Sequence, residues 1–319
     1  MMVQTMASKA TRQEQDPTNQ AGTRRRATRD NNRRLNNSAR EVLAIWRNVG
    51  AKKTTRKKII NQESEALDFY VYDLSAQDKS DLSVEISDSV NENLETTTAA
   101  PPFNWYYEQY IEQAYRGGTI QENAEIAVLL ALIAGSITIE TTSILSSSRY
   151  LDLLEAAVNK NYPLFKGLSE TTSKQIFQVI NDGIDAGLSK NAIRRKILER
   201  YEVAKSSAKR IVDTEVNRKY NNARTDLIKF YRDNGEPLAV QHISALLATT
   251  RRHHAARHGR AYTPEQQDRW WAEGVNRINC HCSIRAIVVN RDGTVANKEA
   301  QNKVIARGKE IFESISEIG

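Results

Sequence analysis

From Val203 to Asp233 the apolar residues Ala204, Ala208, Ile211, Val212, Val216, Tyr220, Ala223, Leu227 and Tyr231 keep mostly to a spacing of three or four, until Asn234-Gly235-Glu236-Pro237 ends the pattern. That is the period of one face of an α-helix. Some 30 residues at 1.5 Å each make a rod about 45 Å long. A straight element of that length constrains the fold more than any other feature of the chain.

The rest of the sequence agrees with it. Gly and Pro number 14 and 6 in 319 residues, and hydrophobic residues make up 39%, below the globular average, which indicates long solvated helices. Leu35, Ala39, Val42, Leu43 and Trp46 give a further helical pattern. Another runs from Phe103 to Tyr115 with Gly117-Gly118 as its stop, and a buried helix begins near Glu122. Helices follow around 149–159, 169–186 and 190–201, the last two separated by a C-cap Gly187 and an N-cap Ser189. Leu238–Gln241 and Ser283–Val289 read as strands, with Asn290-Arg291-Asp292-Gly293 a turn after the second.

The expected fold is therefore mainly α, a helical N-terminal body with one long helix leading into a small α+β C-terminal domain. Residues 1–30 read as a disordered basic arm, 31–100 as a charged helical region, 101–202 as a helical body, 203–290 as the C-terminal domain and 291–319 as a helical tail. The clearest linker is Thr96 to Pro102.

Charge is distributed unevenly. Residues 1–60 hold 15 Lys and Arg against 4 Asp and Glu, whereas 61–100 hold 1 against 10. Arg24, Arg25, Arg26, Arg33, Arg34, Lys52, Lys53, Arg56, Lys57 and Lys58 form the electrostatic footprint of a nucleic-acid contact, and the scarcity of aromatic residues there favours phosphate over base stacking. The acidic neighbour leaves a second reading open, in which the two stretches neutralise each other. The apolar run Ile126 to Ile139 is 14 residues long, too short for a bilayer span of ~20, so no stable membrane span is expected. The N-terminus lacks the apolar segment of a secretory signal. Two cysteines spaced Cys-x-Cys point to a reducing compartment.

All five histidines and both cysteines fall between His242 and Cys282. His254 and His258 stand four apart, so a helical turn would put them on one face. An extended Cys280-His281-Cys282 would point both thiols to one side. Two His and two Cys on facing elements suit a tetrahedral structural zinc. Packing alone is the competing explanation for the cysteines. A catalytic reading, a zinc-dependent hydrolase or nuclease with Glu215 as general base, is the alternative function. On the long helix, Thr214, Asn217, Asn221 and Arg224 form a polar stripe, either a docking strip for loops of the following unit or an exposed face.

Arg210, Thr214 and Glu215, then Arg251, His254 and Gly259, then Asn279-Cys280-His281-Cys282 before a strand, resemble the C-terminal domain of the phage Mu F-like head-morphogenesis proteins. The resemblance covers about 205–290. It departs from the family pattern at Leu247, Thr249, His258 and His281. A histidine at 258 is not part of that pattern, so the shared metal candidates are His254, Cys280 and Cys282. The resemblance implies a minor head protein of tailed bacteriophages rather than an enzyme. It implies synthesis in the host cytoplasm and a place in the virion near the portal protein, with capsid or scaffold proteins as partners. It further implies roles in head assembly and in DNA packaging and ejection, where nonspecific contact with double-stranded DNA is enough.

Overall fold

The computed structural model describes residues 20–52, 54–60, 66–95, 105–133, 135–159 and 162–316. Along the chain the elements are α1 (Gln20–Lys52), β1 (Thr54–Ile60), β2 (Ala66–Tyr72), α2 (Ala76–Glu95), a π-helical turn (Tyr107–Ile111), α3 (Glu112–Leu130), α4 (Thr141–Leu145), α5 (Ser148–Asn159), α6 (Tyr162–Asp185), α7 (Lys190–Asp233), β3 (Leu238–Ile243), α8 (Arg252–Ala255), β4 (Ala261–Tyr262), α9 (Pro264–Ala272), β5 (Ser283–Val288) and α10 (Lys298–Ser316). The protein is mainly helical, with small sheets, as the periodicity requires. The long helix is longer than its apolar pattern, because the expected helix at 190–201 continues into it without a break.

Four expectations are corrected. Residues 20–30 are helical where a disordered arm is expected; Ala27, Asn31, Leu35, Ser38, Val42 and Trp46 form the buried face of α1, and its polar members hide the period in the sequence. Residues 1–19 and the linker 96–102 lie outside the described residues. The region 31–100 is not wholly helical, since β1 and β2 pair as an antiparallel hairpin rich in β-branched and aromatic residues. The helix at 112–130 passes through Gly117-Gly118 instead of stopping. A Cβ on Gly118 would stand 2.3 Å from the Tyr220 carbonyl oxygen, so the glycine serves close helix crossing. The apolar run near 126–139 is only half buried: Ile126 and Leu130 join a core, while Val128 and Leu132 are exposed at 69% and 84%.

The chain forms two compact units that do not follow its order. One comprises Met1–Arg25, Glu108–Asn159 and Val212–Gly319, the other Arg26–Tyr107 and Lys160–Ile211. In the second unit α2 packs along α6. The hairpin is tied to the turn after α6 by Tyr70 N donating to Gly187 O at 3.0 Å and Tyr72 Oη to Leu188 O at 2.8 Å. Ser189 Oγ caps α7 by accepting from Ala192 N at 3.2 Å, as expected of an N-cap serine.

In the first unit the strands order as β4-β3-β5, all antiparallel. Leu227, Ile228 and Tyr231 of α7 pack with Ile126 and Leu130 of α3, Val240 of β3, Trp271 of α9 and Ile284 of β5. Helix α7 is buried on nearly every side from Val212 onward, so its polar residues are buried as well. Arg224 bonds Glu122, which also accepts from Ala286 N at 2.6 Å, and reaches Glu125 at 2.6 Å. Burial pushes the Glu122 carboxyl up to about 7, with Arg224 drawing it back. This network joins α3, α7 and β5. Replacing Arg224 with Met strands a buried carboxylate and should cost about 3–5 kcal/mol in denaturant unfolding. Adding Glu122→Gln should recover most of that loss, and a double variant no more stable than the single one would contradict the assignment.

Candidate functional site

The central strand β3 is buried along Leu238–Gln241 and His242, and it ends in the site. His242 lies opposite Ile284 of β5; its N donates to Arg260 O at 3.0 Å and its O accepts from Gly259 N at 2.8 Å. Gly259 has φ +76°, and a Cβ there would stand 2.8 Å from Ile305 of α10, so both backbone and packing demand glycine. Between β3 and α8 the loop is folded by Thr250, whose Oγ1 accepts from Leu247 N at 2.8 Å. Arg251 Nη2 donates to Ile278 O at 2.8 Å, pinning the start of α8 to the segment before the cysteines.

Asn279 carries φ 51°, a left-handed conformation that asparagine tolerates, and its N donates to Thr214 Oγ1 at 3.0 Å. The Asn217 amide nitrogen then donates to both Cys280 O, at 2.7 Å, and Cys282 O, at 3.0 Å. Asn221 adds a bond to Cys282 O at 3.1 Å. The polar stripe of α7 is thus a docking strip rather than an exposed face. Lysine or glutamate has no neutral pair of donors to offer two carbonyls, which accounts for the asparagines.

Both thiols turn toward His254, with Nδ1 lying 3.6 Å from Cys280 Sγ and 3.5 Å from Cys282 Sγ. His254 Nε2 lies 3.3 Å from Arg251 Nη1, and Cys282 Sγ lies 3.7 Å from Ser244 Oγ. Ligand atoms of His242, His254 and Cys282 all lie within 4.8 Å of one another, and all three residues are buried. Trp270 packs edge-on against His254 and His242, with centroids at 4.8 and 5.2 Å. The thiols share their protons unequally. Cys280 is pushed up by Cys282 beside it and by burial, while Cys282 is drawn down by Cys280, with His242 and His254 adding to the pull.

The residues gathered here differ from the expected set: His242, His254 and Cys282 lie together, Cys280 adjoins them through His254, and His258 is not among them. Helix α8 ends at Ala255, so His254 and His258 do not share a helical face, and the His258 ring packs against Gly308 of α10. Burial pushes the His258 pKa down, opposed by a bond to the Ser244 backbone. His242 takes its place in the cluster. Its only signal in the sequence is a histidine beside Gln241 in a strand whose other residues are apolar. Of the remaining histidines, His253 bonds Asn276 at 3.0 Å and His281 meets Arg24.

Among the motif residues, Arg210 is exposed and donates to Ser207 at 3.2 Å. Glu215 is buried and paired with Arg218 at 3.1 Å; burial raises its pKa, opposed by Arg218, Lys219 and Arg277. The basic residues are dispersed. Arg24 is largely buried; Arg34 stacks on Trp105 at 4.1 Å and donates to Asn93 O at 2.9 Å; Arg56 pairs with Asp68 at 2.5 Å. Arg25, Arg33, Lys57 and Lys58 are exposed, Arg26 is partly buried, and Lys53 and the Lys52 side chain lie outside the described residues.

A short antiparallel sheet docked by its Cys-x-Cys segment on a long helix is the class of domain this geometry defines. Residues 174–285 match the family described as Phage Mu protein F like protein. That segment is similar to the phage Mu F-like family, which points to phage head morphogenesis. No curated protein and no solved structure matches the chain.

Asn217→Asp tests the docking strip, because a carboxylate keeps the shape but offers no donor to the two carbonyls. Asn217→Ala should lower stability by about 1–3 kcal/mol in denaturant titration, and Asn217→Asp by at least as much. An aspartate variant as stable as wild type would contradict the bonding described.

Proposed function

We propose that the protein is a minor head protein of a tailed bacteriophage, associated with the portal or procapsid interior. In this reading it acts in head assembly and in the packaging and ejection of DNA. The observation that carries it is the Phage Mu F family match over 174–285. The make-up of the cluster argues against the alternative of a zinc-dependent hydrolase, because a buried set rich in sulfur suits a closed structural site better than a catalytic one with an open position.

DNA contact in this reading falls to α1. Arg29, Arg33, Arg40 and Arg47 are all exposed, and their spacing of four, seven and seven puts them on one face of the helix. They extend over about 27 Å at 1.5 Å per residue. A row of arginines suits phosphates and reads no bases, which is what a protein beside packaged DNA of any sequence needs.

Two measurements test the reading. The protein should co-purify with portal-containing procapsids and remain with mature heads, and its absence from both would overturn the assignment. Purified protein should bind unrelated DNA duplexes equally, and changing the four arginines to Gln should make the slope of log K against log salt shallower by ~0.9 for each phosphate no longer neutralised. An unchanged slope would show that α1 is not the DNA-facing surface.

A further inference from the structure

The His/Cys cluster holds one buried ring that its own hydrogen bonds do not account for. Without a metal, the arrangement that pairs these groups puts a proton on His254 Nδ1. Nδ1 then donates to a thiolate 3.5 Å away at Cys282, and Nε2 accepts from Arg251 at 3.3 Å. This leaves His242 unexplained. His242 is 0% exposed, and neither ring nitrogen makes a hydrogen bond of good geometry among the described residues, although the residue acts on the Cys282 sulfur. A buried imidazole so poorly bonded is costly unless a further atom binds one of its nitrogens.

Distances supply the second observation. Ligands of a tetrahedral zinc, with sulfur at ~2.3 Å and nitrogen at ~2.0–2.1 Å, stand ~3.6 Å apart across the S···N edges. His254 Nδ1 is 3.6 Å from one cysteine sulfur and 3.5 Å from the other. The backbone fixes both sulfurs through Asn217, whose bonds to the two cysteine carbonyls hold the ligands in place as hydrogen bonds do behind other metal sites. The set is buried beneath Trp270 and contains soft thiolate together with imidazole donors.

We infer that His242, His254 and Cys282, with Cys280 in the fourth position, form a structural zinc site that joins β3, α8 and the start of β5. On binding, the Cys280 thiol proton leaves to solvent and the His254 proton moves from Nδ1 to Nε2, so Arg251 Nη1 gives up its bond to that nitrogen while Nη2 keeps its bond to Ile278 O. Four protein ligands close the coordination sphere, so the site clips the sheet to α8 and leaves no open position for a substrate.

Full-length protein purified without chelator should contain one equivalent of zinc by elemental analysis. After removal of the metal, cobalt should restore it, with the thiolate charge-transfer and strong visible absorption of a tetrahedral sulfur-containing site. His242→Ala and Cys282→Ser should abolish stoichiometric binding, whereas His258→Ala should leave both stoichiometry and spectrum unchanged. His242→Cys restores a donor and should regain the metal, which separates loss of a ligand from failure to fold. Wild-type protein with no stoichiometric zinc and no cobalt spectrum would overturn the proposal in favour of a thiolate–imidazole pair. A His242→Ala variant that keeps the wild-type cobalt spectrum would overturn the assignment of His242.

Discussion

A side-chain amide lies at the centre of the hydrogen bonds that join the C-terminal sheet to its helix. Asn217 sits on α7 with its nitrogen between the carbonyls of Cys280 and Cys282, at 2.7 and 3.0 Å. Those bonds fix the backbone on both sides of His281, so the two thiols face His254 and lie behind the sheet rather than in solvent. They also set where β5 begins, because Ser283 follows directly and pairs with Ile243 of β3. The orientation of the cluster and the register of the sheet thus depend on the same residue.

The surroundings of α7 make such a residue necessary. Beyond Val212 the helix has almost no solvent face, and buried polar groups must find partners there. Arg224 with Glu122 and Glu125 is one solution, a buried ion pair that also satisfies the Ala286 amide. Asn221 and Thr214 are others, each bonded to the Asn279–Cys282 segment. Helix and sheet therefore form one packed body, in which the Cys-x-Cys segment acts as a structural seam.

Much of this is legible in the sequence, and the parts that are not have physical causes. The regular spacing from Ala204 to Tyr231 reveals the long helix because each of its main positions is buried against a neighbour. The polar stripe of asparagines is visible too, but a sequence cannot show whether such a stripe faces carbonyls or water. His254, Cys280 and Cys282 are identifiable by residue type. His258 is suggested by a helical spacing that the chain does not maintain past Ala255, while His242 escapes notice because it sits on a different element. Charge obscures the β1–β2 hairpin, and Gly117-Gly118 resembles a stop although Gly118 marks a close crossing with Tyr220.

If the buried cluster is organised around a metal held by two sulfurs and two nitrogens, X-ray absorption at the zinc edge of the full-length protein tests it most directly. The expected coordination shell has two sulfur atoms at ~2.3 Å and two nitrogen atoms at ~2.0–2.1 Å. A shell of only light atoms, or of a single sulfur, would contradict it.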